Sequence, residues 1–261
     1  MREVRSVRFT TLMVDIHSHI LRGLDDGAKT LEQSLAMMKI AAGSGTTDIV
    51  ATPHANFRYP FQSALVAQLV KEISAASGGR PKVYYGCDFH LSFDNIQDAL
   101  KNPAKYAVNG SRYLLVEFPN TALTGMGAAL EALLQRGLIP IMTHPERQPV
   151  LRRMPPEFEE WIQMGCLVQI TAHSLLGRFG VHAEESAWDM VRRGMAHIVA
   201  SDAHDEKDRT PRLDDAFAAV AARVGQPMAQ KLFIDNPNGV ISGGTVSTEL
   251  PKRASRLRFW K

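Results

Sequence analysis

The stretch VDIHSHILRGLDDG, from Val14 to Gly27, concentrates metal-binding side chains in one short segment. Its apolar start is typical of a β-strand, and His17 and His19 stand two positions apart on it. Residues i and i+2 of a strand point to the same face, so both imidazoles can reach one ion. Asp25 and Asp26 follow before a glycine; such a pair alone more often marks a turn, but imidazole and carboxylate together are ligands that divalent metal ions accept. The segment therefore predicts a metal site at the end of a strand.

The composition is that of an ordinary globular protein. The chain has 261 residues, of which 45% are apolar and 22% are charged, and this length suits one large domain or two small ones. The net charge of +3 is too small to indicate nucleic-acid binding, and no apolar run is long enough for a transmembrane helix. The two cysteines, Cys87 and Cys166, predict no disulfide framework and favour a reducing cytoplasm. Neither cysteine begins a Cys-x5-Arg phosphatase loop.

Short apolar runs alternate with helical segments along the chain. The predicted strands are 12–17, 48–52, 82–87, 112–118, 138–143, 166–171 and 196–201. The predicted helices are 31–42, 61–77, 122–136, 156–164, 183–193, 212–224 and 227–233, with a short helical turn near 94–101. Such alternation predicts a parallel sheet buried on both faces, and seven units favour a closed or nearly closed β/α barrel. An open doubly wound sheet is the alternative, but no strand is followed by the G-x-G-x-x-G fingerprint that would support it.

Polar residues mark the points where these strands end. They are His17, His19, His54, Asp88, Glu117, His144, Asp202 and His204. The C-terminal ends of all strands in a parallel barrel open onto one face, so we expect these side chains to converge. Taken singly, a histidine here is more often a structural residue, Glu117 fits a buried salt bridge and Asp202 fits a helix cap. Taken together they are costly to bury without compensating charge, and three divalent ions would supply it and leave a cationic site for phosphate.

The blocks VDIHSHIL, DDG, TPH, VEF, THPER, SDAH and FIDNP, in this order, resemble the PHP (polymerase and histidinol phosphatase) superfamily. Within it they are similar to the bacterial manganese-dependent protein-tyrosine phosphatases of capsule and exopolysaccharide operons. The resemblance implies a distorted (β/α)7 barrel of PHP type over residues 13–240. Residues 1–12 would then be an N-terminal extension and residues 241–261 a basic C-terminal tail.

The resemblance also implies a trinuclear metal centre. Its three ligand sets would be His17, His19 and Asp202; Glu117 and His144; and Asp26, His54 and His204. Asp88 would bridge the first two ions. The predicted catalytic residues are Arg147, Arg209 and His204, of which the two arginines would bind the phosphate.

One position departs from the family pattern. The family usually has glutamate in a GAE-like block where this chain has GCD, and Asp88 is shorter by one methylene. We expect Asp88 to bridge if the backbone lies closer to the ions, with His90 as an alternative contributor.

The activity that the resemblance implies is hydrolysis of phosphotyrosine in proteins by a metal-activated hydroxide. Mn²⁺ is the implied metal, and Fe, Zn, Co or Mg are alternatives because mixed histidine and carboxylate sites accept several ions. The implied partner is the tyrosine-rich tail of a membrane-bound bacterial tyrosine kinase that controls polysaccharide synthesis. We therefore expect a cytoplasmic protein with at most peripheral membrane contact. The sequence does not decide whether the protein forms a homo-oligomer.

Other interpretations use the same residues. A small-molecule phosphatase acting on histidinol phosphate would share the metal cluster and differ at the rim. A metal-dependent amidohydrolase also begins with His-x-His on a barrel strand, but that class commonly has eight strands and often a bridging lysine, and no lysine ends a predicted strand here. A non-catalytic regulatory metal-binding module is the third alternative.

Overall fold

The computed structural model describes residues 12–119, 124–153 and 155–246 of the chain. Residues 1–11 of the predicted extension and residues 247–261 of the predicted basic tail lie outside the described residues, as do the first two residues of the predicted helix 122–136. Within the described part, none of the helices combines the length and apolar composition that crossing a membrane requires.

All seven predicted strands are present, and two of them continue beyond a break as separate short strands. The strands are β1 Met13–Ser18, β2 Thr46–Ala51, β3 His54–Ala55, β4 Lys82–Tyr85, β5 Asp88–His90, β6 Tyr113–Glu117, β7 Ile139–Thr143, β8 Leu167–Thr171 and β9 Ile198–Ala200. The short strands β3 and β5 extend the second and third predicted strands toward the same end of the molecule. Every pairing between neighbouring strands is parallel.

The strands form a closed and distorted barrel. Two sheets, ordered β1-β2-β4 and β3-β5-β6-β7-β8-β9, are joined where β2 leads into β3 and β4 leads into β5. The other seam is closed by a parallel bridge between Ser18 and Ala203. Two backbone hydrogen bonds reinforce it, from Asp202 N to His17 O at 2.9 Å and from His19 N to Ala203 O at 2.8 Å. The predicted barrel is therefore confirmed and the open sheet is wrong.

The helices cover the outside of the barrel. They are α1 Leu31–Gly43, α2 Ser63–Ala76, α3 Phe93–Lys101, α4 Met126–Gln135, α5 Pro156–Gln163, α6 Ala172–Leu175, α7 Val181–Arg192, α8 Asp214–Arg223, α9 Gln226–Gln230 and α10 Asn236–Ser242. A π-helical turn, Lys231–Asp235, joins α9 to α10. Sequence patterns did not predict α6, which is a single turn, or α10, which contains Pro237 and Gly239; proline fits the first turn of a helix but both residues are poor helix formers elsewhere.

An apolar cluster fills the interior of the barrel below the strand ends. It joins strands that are not neighbours in the sheet, with Val14 on β1, Tyr113 and Leu115 on β6, and Leu167 on β8. Since side chains alternate between faces along a strand, Glu117 continues the series of Tyr113 and Leu115 at the C-terminal end of β6. The packed interior therefore ends where the polar residues begin, and a second, larger cluster packs the strands against the outer helices.

A buried carboxylate ties the two sides of the closing seam together. Asp15 on β1 is fully buried and accepts hydrogen bonds from Ser201 N at 3.0 Å and Ser201 Oγ at 2.5 Å. Burial raises the pKa of Asp15 to about 6 even though the bonds from Ser201 oppose that change. The acceptor oxygen is thus needed at this position more than the charge is.

Replacing Asp15 should therefore destabilise the barrel to a degree that depends on the new side chain. Asp15→Ala leaves the buried N–H groups of His17 and Ser201 without an acceptor and removes one of the two acceptors of Ser201 Oγ, so it should lower the free energy of unfolding by about 2–4 kcal/mol. Asp15→Asn keeps one acceptor oxygen and should cost less. Urea unfolding of chelator-treated protein measures both, with the exposed Asp94→Ala as the control; equal costs for Asp15→Ala and Asp94→Ala would contradict the role of Asp15.

Candidate metal centre

The nine predicted metal ligands lie together at the C-terminal mouth of the barrel. Each belongs to at least one of four overlapping groups whose ligand atoms lie within 4.8 Å of one another. The groups are His19, Asp26, His54 and His204; His17, His19 and Asp202; His17, Asp88 and His144; and His54, Asp88 and Glu117. The structure therefore brings together all nine of these residues, but not His90, the alternative contributor.

The group around Asp202 is the most deeply buried. The Nε2 atoms of His17 and His19 lie 3.3 Å apart, and each lies 3.4 Å from Oδ1 of Asp202. Two imidazole nitrogens and one carboxylate oxygen thus face a common point, which is the arrangement that one divalent ion requires.

A second group opens to solvent. Nε2 of His54 lies 3.4 Å from Oδ1 of Asp26, and Nε2 of His204 lies 3.5 Å from the same oxygen. The Asp26 side chain is 50% exposed, whereas that of Asp202 is 2% exposed. A ligand from solution would therefore reach the Asp26 side of the centre first.

Asp88 belongs to two of the four groups. Its Oδ2 lies 2.9 Å from Nδ1 of His54 and 3.7 Å from Nε2 of His17. One group adds His144 and the other adds Glu117, so these two residues are each grouped with Asp88 but not with each other. Asp88 thus connects two of the ligand groups, with a side chain one methylene shorter than the glutamate that the sequence resemblance implies.

Two of the candidate ligands have strained backbones. His144 has φ 38° and Asp202 has φ 52°, in the left-handed region that residues with a Cβ seldom adopt. His144 directly precedes a 3₁₀ turn, Pro145–Arg147, that brings Arg147 back toward the mouth. Such conformations cost free energy and persist where the surrounding structure holds them, which is common at functional sites.

Two buried side chains orient the histidines, and the sequence did not predict this role for either of them. Gln169 Oε1 accepts from His17 Nδ1 at 2.8 Å, and Asp25 Oδ2 lies 2.7 Å from His19 Nδ1 and accepts from His54 N at 3.0 Å. Both histidines therefore present Nε2 to the centre, as ligands held by an outer hydrogen bond do. The sequence showed Asp25 as a candidate turn residue, but it gave no signal for Gln169.

A third buried side chain, that of Glu146, holds the loop after His144 rather than a histidine ring. Its Oε1 accepts from Thr171 N at 3.0 Å and from Ser174 Oγ at 2.7 Å. The bonds fix the turn that follows His144 against the end of β8.

The histidines of the centre differ in the direction of their pKa shifts. Burial lowers the pKa of His144 to about 3 and that of His204 to about 4, so both rings are neutral at pH 7 and in the form that binds metal. Burial would also lower the pKa of His54, but the bonds and charges of Asp26 and Asp88 raise it to about 11. The carboxylates therefore attract positive charge into the mouth, as a cation site must.

The buried carboxylate of Asp88 also indicates a cation site. Asp88 is fully buried; its Oδ1 has no hydrogen-bond partner among the described residues, and its Oδ2 lies 2.9 Å from His54 Nδ1 without the geometry of a hydrogen bond. A buried carboxylate without donors is costly unless a cation compensates it. The donor set, imidazole and carboxylate without a thiolate, fits Mn²⁺, Fe²⁺, Zn²⁺ and related ions.

Two arginines lie beside the metal ligands. Arg147 Nη1 and Arg209 Nη2 both donate to Oδ2 of Asp202, the oxygen opposite the one that faces the histidines. Arg209 Nη2 also donates to the Asp202 carbonyl oxygen at 3.1 Å, and the buried Arg209 Nε has no acceptor among the described residues. Guanidinium groups match phosphate oxygens in pairs, so two side chains with the chemistry to bind an anion lie next to the candidate metal ligands.

The other candidate residues lie away from these contacts. His90 is on β5, two residues after Asp88, and it belongs to none of the four ligand groups found among the described residues. Cys87 and Cys166 are buried, and burial raises the pKa of the Cys87 thiol well above its ordinary value and that of Cys166 to about 12. Neither thiol is in the reactive, ionised form of a catalytic cysteine.

The barrel and its mouth define the chain as an α/β-barrel protein with a candidate metal centre and two arginines beside it. A family described as capsular polysaccharide synthesis, CpsB/CapC, matches residues 13–242. The chain therefore belongs to the CpsB/CapC family, as the sequence blocks predicted.

Named relatives are similar to this chain over nearly their whole length. CapC of Staphylococcus aureus is 33% identical over 253 residues, which are 95% of this chain and 98% of that protein. The tyrosine-protein phosphatase CpsB of Streptococcus pneumoniae is 30% identical over 239 residues, 88% of this chain and 98% of that protein.

Solved structures agree on the fold. A crystal structure from work on YwqE of Bacillus subtilis and CpsB of Streptococcus pneumoniae, described as metal-dependent tyrosine phosphatases, aligns with TM-score 0.83 and 28% identity over 90% of this chain and 96% of that chain. A variant of organophosphorus hydrolase aligns with TM-score 0.60 and 12% identity over 88% of this chain and 92% of that chain, a likeness of fold alone.

The outer contact made by Asp25 should matter for metal affinity. Asp25→Ala removes the partner of His19 Nδ1 and the acceptor of His54 N, so it should weaken Mn²⁺ binding about 10- to 100-fold. Titration of chelator-treated protein with Mn²⁺ measures the change, and Asp94→Ala is the matched control on the exposed start of α3. Wild-type affinity in Asp25→Ala would show that Asp25 does not orient the histidines.

Proposed function

We propose that this chain is a metal-dependent phosphotyrosine-protein phosphatase of capsular polysaccharide synthesis. The observation that carries the proposal is the single carboxylate of Asp202, which faces two candidate metal ligands with one oxygen and two arginines with the other. Cation and phosphate sites are thus in contact. The predicted phosphatase activity agrees with the names of relatives that the chain matches over nearly their whole length.

The proposed centre holds three metal ions. His17, His19 and Asp202 hold the first, and Asp26, His54 and His204 hold the third; each set lies within a single ligand group of the structure. Glu117 and His144 would hold the second, and Asp88 would contribute to both the first and the second. Support for this second set comes through Asp88, which is grouped with both residues.

The ions and the protein divide the chemistry between them. When bound, closely spaced divalent ions supply hydroxide near neutral pH and neutralise charge on the phosphoryl group. Arg147 and Arg209 bind the phosphate oxygens and hold the ester in line for attack. The phenol of tyrosine, with a pKa near 10, needs less protonation on leaving than a serine hydroxyl would.

His204 contributes chiefly as a ligand in this proposal. Its Nδ1 lies 3.0 Å from the Asp202 carbonyl oxygen, and its Nε2 lies 3.5 Å from Asp26. Both ring nitrogens face the protein, so water is the simpler source of the proton for the leaving phenol.

The finer identities rest on the resemblance. Mn²⁺ is the proposed metal, with Fe, Zn, Co or Mg as alternatives that the donor set also accepts. The proposed substrate is the phosphorylated, tyrosine-rich tail of a membrane-bound bacterial tyrosine kinase, met in the cytoplasm. Any membrane contact would be peripheral and would involve the basic tail, most of which lies outside the described residues.

Metal dependence and substrate choice can be tested together. Chelation should abolish hydrolysis of a phosphotyrosine peptide, and added Mn²⁺ should restore it, because the ions supply the nucleophile. Phosphoserine peptide and histidinol phosphate, measured in parallel, should be poor substrates. Faster turnover of histidinol phosphate would make the chain a small-molecule phosphatase, and metal binding without any turnover would make it a regulatory module.

The arginine contribution can be tested separately. Arg209→Ala should lower kcat/KM for the phosphotyrosine peptide about 100-fold, because it removes charged donors to the phosphoryl oxygens in the transition state. Arg212→Ala, at a nearby arginine whose side chain is 47% exposed and pairs with Asp214, is the control and should have little effect. Equal activity of the two variants would remove Arg209 from the proposed phosphate site.

A further inference from the structure

We infer that Phe179 is a positioning residue for the phosphate-binding arginines, an inference that rests on the proposed function. The ring lies in the turn between α6 and α7, and it is neither a candidate metal ligand nor a candidate phosphate donor. Its role is to hold two guanidinium groups side by side with their N–H edges free for the phosphoryl group.

The ring contacts both arginines. The Cζ atom of Arg147 lies 4.3 Å from the Phe179 ring centroid and that of Arg209 lies 5.8 Å from it. Both distances fall within the range of cation–π attraction. Among the described residues, every other aromatic ring that carries a lysine or arginine carries a single one, for example Tyr59 and Trp188.

The two guanidinium groups need such a contact. Both donate to the same oxygen of Asp202, and their side chains are only 25% and 26% exposed, so solvent screens their mutual repulsion incompletely. One carboxylate oxygen does not fix the orientation of two planar groups. The negative face of a phenyl ring attracts both without accepting their hydrogen bonds. The N–H groups of Arg147 and Arg209 that do not donate to Asp202 therefore remain available to phosphate.

The backbone places the ring with a tight turn. Gly177 has φ 73° and Gly180 has φ 87°, and Gly180 N donates to Gly177 O at 3.1 Å. A side chain at Gly177 would be strained by this left-handed backbone, and its Cβ would lie 2.8 Å from Oε2 of Glu184, whose side chain would have to move. Arg178 N donates to His173 O at 3.0 Å, which anchors the turn to α6. These features hold Phe179 in a defined place.

The same turn is bound to the loop that carries Arg147. Glu146, the residue before Arg147, bonds to Thr171 N and to Ser174 Oγ, the latter on α6. All of these atoms are buried. Arg147 and the turn that carries Phe179 are therefore both attached to α6. The Phe179 ring is held under the guanidinium group of Arg147 by these attachments.

The test compares two replacements of Phe179 by calorimetric binding of inorganic phosphate to the Mn²⁺-loaded protein. Phe179→Leu keeps an apolar side chain but removes the π face, and it should raise the Kd for phosphate about fivefold, since a contact worth about 1 kcal/mol is lost. Phe179→Tyr keeps the face and should bind phosphate as wild type does. Phe93→Leu, the same change at a ring that is 76% exposed on α3, is the control and should have no effect.

Kinetics with a phosphotyrosine peptide provide the second readout. Phe179→Leu should raise KM and the inhibition constant of phosphate together, and the content of bound Mn²⁺ should not change. Unaltered phosphate binding in Phe179→Leu, loss of Mn²⁺ in that variant, or failure of Phe179→Tyr to restore binding would each overturn the inference. Should Phe179→Leu not fold, Phe179→Met makes the same comparison.

The two proposals fail in different ways. If wild-type protein binds phosphate but does not hydrolyse the phosphotyrosine peptide, the proposed function is wrong, and a fivefold weaker phosphate Kd in Phe179→Leu would still support the role of the ring. If wild type is active and Phe179→Leu binds phosphate equally well, only the role of Phe179 is wrong.

Discussion

The contacts of Asp202 join the fold, the candidate metal centre and the two neighbouring arginines in one residue. Its backbone N–H donates to His17 O across the closing seam of the barrel at 2.9 Å. Its Oδ1 lies 3.4 Å from the Nε2 atoms of His17 and His19, and its Oδ2 accepts from Arg147 and Arg209. The left-handed backbone of Asp202 makes this combination sterically costly, so the closed barrel holds it in place. The closing seam of the barrel and the candidate site thus both depend on Asp202.

Most of the fold follows from patterns that a single sequence displays. Apolar runs between helical segments predicted all seven strands, because a parallel barrel buries both faces of each strand. The breaks before β3 and β5 were not predictable, since two- and three-residue strands have no periodicity to detect. The start of α1 shows a finer limit of such prediction. Thr30 and Gln33 have the spacing of a capping box, and Thr30 Oγ1 accepts from Gln33 N as that motif requires. The Gln33 side chain, however, accepts from Lys29 N and not from Thr30 N.

The sequence predicted the candidate metal ligands, but it did not predict the side chains that contact those ligands from outside. Strand ends in a parallel barrel converge, so histidines and carboxylates at those ends could be expected to meet. The outer contacts depend on loop and strand geometry that the sequence does not encode locally. Gln169 lies within an apolar strand with no sign of its bond to His17, and Phe179 reaches Arg147 only through a turn set by two glycines and the buried bonds of Glu146. Such placements arise from tertiary structure.

The position of Asp88 shows how backbone placement can substitute for side-chain length. The resemblance implies a glutamate here, yet Asp88 lies 2.9 Å from His54 Nδ1 and within two ligand groups. Just before it, the chain approaches β2 so closely that a Cβ at Gly86 would lie 2.6 Å from Cγ1 of Val50 and 3.0 Å from Cγ2 of Thr52. Only glycine permits that approach. The break between β4 and β5 therefore depends on the glycine in GCD, and it sets where the backbone places Asp88 two residues later.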